Sequence, residues 1–511
     1  MFGFFKRSAP APAPAPQPIE DSPRLRGWIN RRMMGGFDAA RADRLQAGWA
    51  TTPASADQII RTQQRVLVAR SREQAVNNDF AKAFLRMARQ NIVGPRGIQL
   101  QAQPRDENGT VDNAAADAIE AAWRDWGHAR HCDVAGQQSF RSLQGSAVAS
   151  AARDGEFMFL KHVGRGAGEY GFSLQLVDPQ RCPPDFDEAP RPDGTFIRAG
   201  IEFNALGRRL AYFFTTTDEG ETQVYASGGR NYLRVPASQV IHGFLPELVG
   251  QRRGLPWMSS ALWRMRQLKG FEDAALVNAR ISASKGGFFE WEDGQGPEPD
   301  EDDELTMEVE PGMFQELPAG VRFREWNPQY PSGEYQTYVK SMLRGIASGM
   351  GVAYNNLAND LEGVNFSSIR QGALDEREAW KELQEWLIET LLEPVFEEWL
   401  PRALLRGIRI GSGTLAAGRQ DKYREVVWQP RRWAWIDPKS EVAAAVASKN
   451  NLLTSPGQII RDTGRDPDTV WREVASDIRA MRDAGIPDNF IMQALGQKME
   501  GSDGAPPREQ E

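Results

Sequence analysis

The sequence predicts an α+β fold in which a strand-bearing region precedes long helices that flank a small β module. Three observations predict it. Between Phe157 and Phe214 the short runs FMFLKHV, FSLQLV, GIEFN and LAYFF read as strands, with turn-forming clusters such as Pro190–Gly194 between them. From Tyr335 onwards apolar residues recur at Val339, Met342, Ile346 and Met350, the spacing of one helical stripe. Near the C-terminus, Ser455-Pro456-Gly457-Gln458 and Asp466-Pro467 pair an N-capping side chain with proline at the first helical position.

Residues 9–18, APAPAPAPQP, favour an extended polyproline-like spacer, so residues 1–24 are expected to be a flexible arm. Its Phe2, Phe4 and Phe5 suit either docking or plain disorder. Helices are expected from Ala56 to Gln90, a stretch dense in Arg61, Arg65, Arg70, Arg72, Arg86 and Arg89. A short helix over Asp117–Trp126 would turn Ile119, Ala122, Trp123 and Trp126 inward. Together with the strands that follow, this makes residues 25–256 a mixed α+β region.

Pro256 suits the first turn of a helix running to about Ser284. Leu262, Met265, Leu268, Ala275, Ala279 and Ser282 line one side of it, and the change from large to small residues permits close approach by a neighbour. A separate module, residues 286–331, carries five consecutive acids, Asp300, Glu301, Asp302, Asp303 and Glu304. Leu305, Met307 and Val309 then alternate with polar residues as in a half-buried strand, and Val321-Arg322-Phe323 begins another. After the stripe 335–350, Gly349 and Gly351 end the helix. Asn355, Asn356, Asn359, Asp360, Gly363 and Asn365 then crowd into an amide-rich segment that reads as a loop, because Asn and Gly accept left-handed backbone. Ser368 and Gln371 have the spacing of a capping box and restart a helix carrying Ile369, Ala373, Trp380, Leu383, Leu387 and Leu391. Short strands such as REVVWQP follow Pro401. Asp437-Pro438 opens about three short helices over 438–495, and a polar tail closes the chain.

Composition narrows the function classes. The chain has 511 residues, 41% hydrophobic and 25% charged, with a net charge of −8. That balance argues against a tight nucleic-acid binder, whose affinity grows with each phosphate neutralised. Two cysteines, Cys132 and Cys182, point to a reducing cytoplasm rather than a disulfide framework. No run of about 18 apolar residues predicts a membrane span, and MFGFFKR has its charges in the wrong order for a signal peptide.

Catalytic motifs are missing. No GxxxxGK[ST] loop, HExxH or GxSxG occurs, and no Gly-Lys dipeptide is present at all. His128, His131, Cys132 and Asp133 lie close together but lack a second ligand pair at matching spacing, so a polar surface loop is expected and no metal. The acids from Asp300 to Glu304 read as a solvated loop. His242 in VIHGF reads as a half-buried structural histidine.

Several segments in a fixed order resemble the lambda-type portal proteins of tailed bacteriophages. They are Arg72–Asn91 leading into NIVGPRGIQL, SFRSLQ…ARDGEFMF at Ser139–Phe159, LQLVDPQRC at Leu174–Cys182, and GIEFNALGRRLAYFF at Gly200–Phe214. VPASQVIHGF at Val235–Phe244, GQRRGLPWMSSAL at Gly250–Leu262, the block 335–380 and WAWIDPKSE at Trp433–Glu441 complete the set. One departure is clear: the family's RNNP turn reads Asn77-Asn78-Asp79-Phe80, without the proline.

The resemblance implies a phage portal fold and a cyclic ring, by family about a dozen subunits. It further implies a wing over 25–256 and 367–437, stem helices at 257–285 and 332–350, and a clip at 286–331. A channel loop at 351–366, a helical crown at 438–495 and a flexible tail at 496–511 complete the expected plan. Such a subunit has no catalytic residues, cofactor or metal. It is expected in the virion at a capsid vertex, after assembly in the host cytoplasm, with no membrane contact. Double-stranded DNA would pass through the ring during packaging and ejection, touched transiently by Asn355, Asn356, Asn359 and Asn365. Asp300 to Glu304 would lie on the surface that docks the large terminase subunit and later the head-completion or connector protein. The arm and first domain would face capsid or scaffold protein, and the Arg-rich helices would be a solvated or intersubunit face or a contact with packaged DNA. The rival readings are a metal-dependent DNA-processing enzyme, for which Asp185–Glu188 and Asp300–Glu304 are the acid clusters, and another capsid or baseplate building block.

Overall fold

The computed structural model describes residue 48 and residues 50–215, 232–284, 287–291, 321–325, 335–362, 366–433 and 438–494. The chain divides into two units, Met1–Ser55 and Ala56–Glu511. The described residues of the first carry no helix or strand. Every element below belongs to the second.

Helix α1 (Arg65–Asn77) continues from a π-type turn at Ile60–Gln64, and α2 (Asp79–Ala88) follows after one residue. That residue is Asn78, extended at φ −123°, whose side chain accepts from the Phe80 and Ala81 amides. The missing proline is thereby explained: Asn78 caps the helix, and Asp79 in the first turn complements its dipole. Strand β1 (Gln99–Ala102), α3 (Asn113–Trp126) and α4 (Phe140–Asp154) come next. Helix α3 starts before the expected Asp117 because Asp112 caps it.

Two antiparallel sheets follow. Strands β2 (Glu156–Val163), β3 (Phe172–Val177) and β8 (Val240–Phe244) form one, with β2 central. Strands β4 (Phe196–Arg198), β5 (Ile201–Phe203), β6 (Arg209–Thr215) and β7 (Tyr232–Pro236) form the other, in chain order. The main core joins α2, α3, α4 and β2 to the later helices through a group of aromatic residues. Trp123, Phe140, Phe396 and Trp399 meet edge to face or tilted. Trp126 stacks on Phe172 and donates its indole N–H to the Phe172 carbonyl at 3.0 Å, so its one polar atom is satisfied inside.

Helix α5 spans Leu262–Ser284, then β9 (Gly287–Trp291) pairs antiparallel with β10 (Val321–Glu325), and α6 spans Tyr335–Met350. The strand at Val321 is as expected; that at Leu305–Val309 lies outside the described residues. Pro256 does not open α5. Residues 256–261 form successive turns, the Ser259 amide bonding the Pro256 carbonyl and the Ala261 amide the Met258 carbonyl, with Met258 buried. Leu262, Met265, Leu268 and Ala275 face inward as the periodicity predicts. On α6 the buried residues are Leu343, Ile346, Ala347 and Met350. The two helices are locked near their shared base, where Ser260 Oγ donates to the Gly349 carbonyl at 2.9 Å.

Two further expectations are corrected. The segment after Met350 is not all loop: α7 (Tyr354–Ala358) occupies it, because Val352 and Leu357 are buried. Helix α8 (Phe366–Leu387) starts before Ser368, so Ser368 lies within its first turn rather than capping it. Helix α9 (Glu393–Arg406), which contains Pro401, leads to the small hairpin β11 (Arg409–Ile410) and β12 (Gly413–Thr414), and β13 (Val426–Gln429) returns to pair with β1. Four helices follow where about three were expected: α10 (Pro438–Asn450), α11 (Pro456–Asp462), α12 (Pro467–Asp483) and α13 (Asp488–Ala494). Gly485, at φ +78°, ends α12 and makes the extra break. The caps at Ser455 and Asp466 form as read, whereas Asp437 lies outside the described residues.

The α4–β2 junction is the tightest point. Gly155 sits at φ +92°, and a Cβ there would come within 2.4 Å of the Leu255 backbone. Gly155→Ala is therefore expected to abolish soluble folding or to lower the thermal midpoint severely. Gly164→Ala, at φ +104° in open space, should cost only about 1–2 kcal/mol. Thermal melts of both variants check the contrast.

Candidate functional site

The close approach of Gly155 to Gly254 brings two conjugate charges together inside the protein. Glu156 begins β2 and Arg253 precedes the turns leading to α5; both side chains are fully buried. Arg253 Nε lies 2.9 and 3.0 Å from the two carboxylate oxygens, and Nη2 lies 2.6 Å from Oε1. Its other donors reach the carbonyls of Cys182 at 2.8 Å, Ala199 at 2.7 Å and Pro179 at 3.0 Å. All five guanidinium hydrogens thus have an acceptor, the condition under which a buried ion pair is tolerable.

The carboxylate is equally well supplied. It accepts from the Gly254 amide at 2.9 Å, from Gln64 at 3.2 Å and from His242 Nε2 at 2.9 Å. Burial opposes its ionisation, but Arg253 and His242 outweigh that and hold the Glu156 carboxyl at about 2. His242 is pushed down to about 4, chiefly by burial and against the pull of Glu156. It is neutral near pH 7, and its partners assign the tautomer: Nε2–H donates to Glu156, while Nδ1 accepts from the Tyr212 hydroxyl at 3.3 Å. The histidine is structural, as expected from sequence, but its side chain is wholly rather than half buried. Such a cluster, closed to solvent and with its charges paired, has nothing to offer a substrate. Its effect is to fix the β2 sheet, the Cys182–Ala199 loops and the base of α5 to one another.

The base of α5 in turn sets α6 and the amide-rich segment beyond it. Gly351 turns the chain at φ +68°, and Asn359 ends α7 in left-handed backbone at φ +52°. Tyr354 Oη donates to Asp360 Oδ2 at 2.6 Å, and Lys340 Nζ on α6 lies 3.2 Å from Asp360 and 3.0 Å from Glu362. The Tyr354 hydroxyl, the Glu362 amide and Lys340 hold the Asp360 carboxyl at about 2. Asn356 Nδ2 donates to Glu376 on α8, which also accepts from Trp380 Nε1 at 3.1 Å. The segment is therefore tied to both flanking helices. Asn359 is exposed and Asn355 half-exposed, while the Asn356 amide is committed to a tether.

The remaining candidates fall elsewhere. Asn365 and Asp300 to Glu304 lie outside the described residues. Asp187 and Asp185 sit 3.8 Å from Arg61 and Arg65 respectively, and Arg72 bridges Asp154 and Asp178. Much of the arginine-rich helical face thus meets acids of its own chain. Cys132 is buried, its thiol pushed up to about 12 by desolvation, and His131 is 2.9 Å from Arg130 Nε. Among the described residues, no group of three or more His, Cys, Asp or Glu is arranged to hold a metal ion. No helix among them is long and apolar enough to cross a membrane.

Sequence reasoning missed the Glu156–Arg253 pair, although a signal was present. A carboxylate opening an otherwise apolar strand, as in GEFMFL, is unusual, and a burial argument would have asked for its partner.

The elements run in the order two sheets, helix, β module, helix, amide-rich turn and helix. Residues 42–384 match the model of the phage portal protein, lambda family, and the chain belongs to that family. It is 32% identical to a probable portal protein of Halomonas phage phiHAP-1, over 90% of both chains. To portal protein B of Escherichia phage lambda it is 22% identical, covering 82% of this chain and 84% of that one. Among solved structures, a chain from the virion of a native gene transfer agent particle is 14% identical, with a TM-score of 0.42 over 83% of this chain and 98% of that one. The protein is a portal protein of a tailed phage, a structural component of the virion.

The buried cluster makes stability pH-dependent. His242 has a folded pKa of about 4 against an unfolded value near 6.5, so unfolding takes up a proton between these limits. Stability contributed by keeping His242 neutral is complete above about 6.5 and is lost as pH falls towards 4, by about 3 kcal/mol. Denaturant unfolding at neutral and mildly acid pH should show this slope, and His242→Gln should flatten it. Equal slopes in both proteins would remove His242 from the account. Glu156→Gln, which strands a buried guanidinium, should cost about 3–5 kcal/mol at neutral pH.

Proposed function

We propose that the subunit assembles into a closed ring of about a dozen copies, by family likeness, around a channel for double-stranded DNA. The ring would occupy one capsid vertex after assembly in the host cytoplasm, and the subunit itself would catalyse nothing. In this reading residues 25–256 and 367–437 form the wing, α5 and α6 the stem, 286–331 the clip and 438–495 the crown. The clip would dock the large terminase subunit during packaging and the head-completion protein afterwards. The arm and first domain would meet capsid or scaffold protein.

The observation that carries this reading is the tethered amide turn between α6 and α8. Asn355 and Asn359 present neutral donors on a segment held by Lys340, Asp360 and Glu376. Neutral amides hydrogen-bond phosphate oxygens without the counterion-release affinity that each cation adds. A turn anchored in this way touches a passing duplex without gripping it. Asn356, by its bond to α8, holds the turn in place.

Asn355→Lys with Asn359→Lys should leave assembly and terminase docking intact while slowing packaging, most at low salt. Packaged DNA length per particle measures this, and normal packaging by the variant would take the turn out of the channel. For the clip, reversing the charge of several residues from Asp300 to Glu304 should weaken terminase binding in a salt-screened manner. Loss of assembly with docking retained would assign that module to the ring body instead.

A further inference from the structure

A groove of about 940 Å³ runs between α4 and the end of α2 with its following π-type turn, Arg89–Val93. Four arginines converge on it: Arg86, Arg89 and Arg141, all exposed, and Arg431, half-buried. No carboxylate lines it. Arg141 donates to the Pro95 carbonyl at 3.1 Å, and Arg431 to the Gln90 carbonyl and to Asn91 Oδ1, both at 2.6 Å. None of these acceptors carries charge, and among the described residues no ion pair neutralises any of the four guanidinium groups. Arg72, Arg191, Arg234 and Arg253, by contrast, all meet acids. In a chain of net charge −8, a groove that collects four uncompensated cations is a local reversal.

Between the arginines its floor carries apolar Leu85, Val93 and Ala149 beside Gln90 and Ser142, and Gly145 adds no side chain to it. Burial and then the neighbouring Arg377 lower the Arg431 pKa.

We propose that this groove docks an acidic amphipathic segment of a partner protein, apolar side chains on the floor and carboxylates on the arginine rim. Shape favours a peptide over nucleic acid. A duplex is convex and bordered by phosphates; it would meet the rim and leave Leu85, Val93 and Ala149 uncovered. A peptide with one apolar and one acidic face satisfies both, and the planar guanidinium fork matches carboxylates in pairs. This goes beyond the channel reading and does not rest on it.

The test uses the purified full-length oligomer and fluorescence polarisation. The probe is a labelled synthetic peptide with leucine at helical spacing and glutamate elsewhere; controls are its glutamine counterpart and short duplex DNA. The acidic peptide should bind, the glutamine peptide should not, and duplex DNA should not displace it. Arg86→Glu with Arg141→Glu should weaken binding about tenfold or more, the equivalent of at least one charge-assisted pair. Ala149→Leu fills the floor, keeps every arginine and should also weaken it, with oligomer size and thermal midpoint unchanged in each variant. Three results would overturn the proposal. One is equal binding of the glutamine peptide. Another is duplex DNA binding with the same arginine dependence and no sensitivity to Ala149→Leu, which would make the rim a nucleic-acid surface. The third is dispersal of the oligomer by the arginine substitutions, which would make the groove a contact between copies.

Discussion

The structure depends on one buried ion pair, Glu156 with Arg253. Stretches far apart in sequence end on it: the π-type turn at Gln64, the α4–β2 junction, the loops at Cys182 and Ala199, His242 of β8 and the entry to α5. A buried pair gains little net stability over an apolar substitute, because desolvating two charges offsets their attraction. What it supplies is directionality. Five guanidinium hydrogens with five fixed acceptors admit one arrangement of the surrounding backbone, whereas an apolar contact would tolerate several.

That rigidity matters at a distance from the pair. Helix α5 emerges directly from it, α6 is joined to α5 at Ser260 and Gly349, and the amide turn follows α6. The same principle recurs at the turn on a smaller scale. Tyr354, Lys340 and Asp360 are local and partly solvated, so each bond is weak alone, yet together with the Asn356–Glu376 contact they define where Asn355 and Asn359 stand. A neutral surface is thus carried on a charged scaffold.

Charge is distributed unevenly across the molecule. Arg61, Arg65 and Arg72 of the first helical stretch meet acids of the same chain, Arg72 both Asp154 and Asp178. The arginines around Gly145 do not. Composition reports only the sum, and a sum of −8 conceals both the compensated face and the uncompensated groove.

The sequence by itself determined the element types wherever a short-range rule governs them. The stripe at Val339, Met342, Ile346 and Met350, the caps at Ser455 and Asp466 and the strands from Phe157 to Phe214 depend on local periodicity and local hydrogen bonds, and these need no knowledge of partners. The resemblance carried by segments such as ARDGEFMF and GQRRGLPW likewise needed only order and spacing. Only the tertiary structure decided what those segments do. Glu156 and Arg253 are nearly a hundred positions apart, and nothing local marks them as partners. The start of α5 was misread because the chain first passes through tight turns at Pro256–Ala261 that bury Met258 against other elements. The loop after Met350 was misread because its helix exists by burying Val352 and Leu357 against distant elements. Periodicity and capping act along the chain, whereas burial and ion pairing act across it.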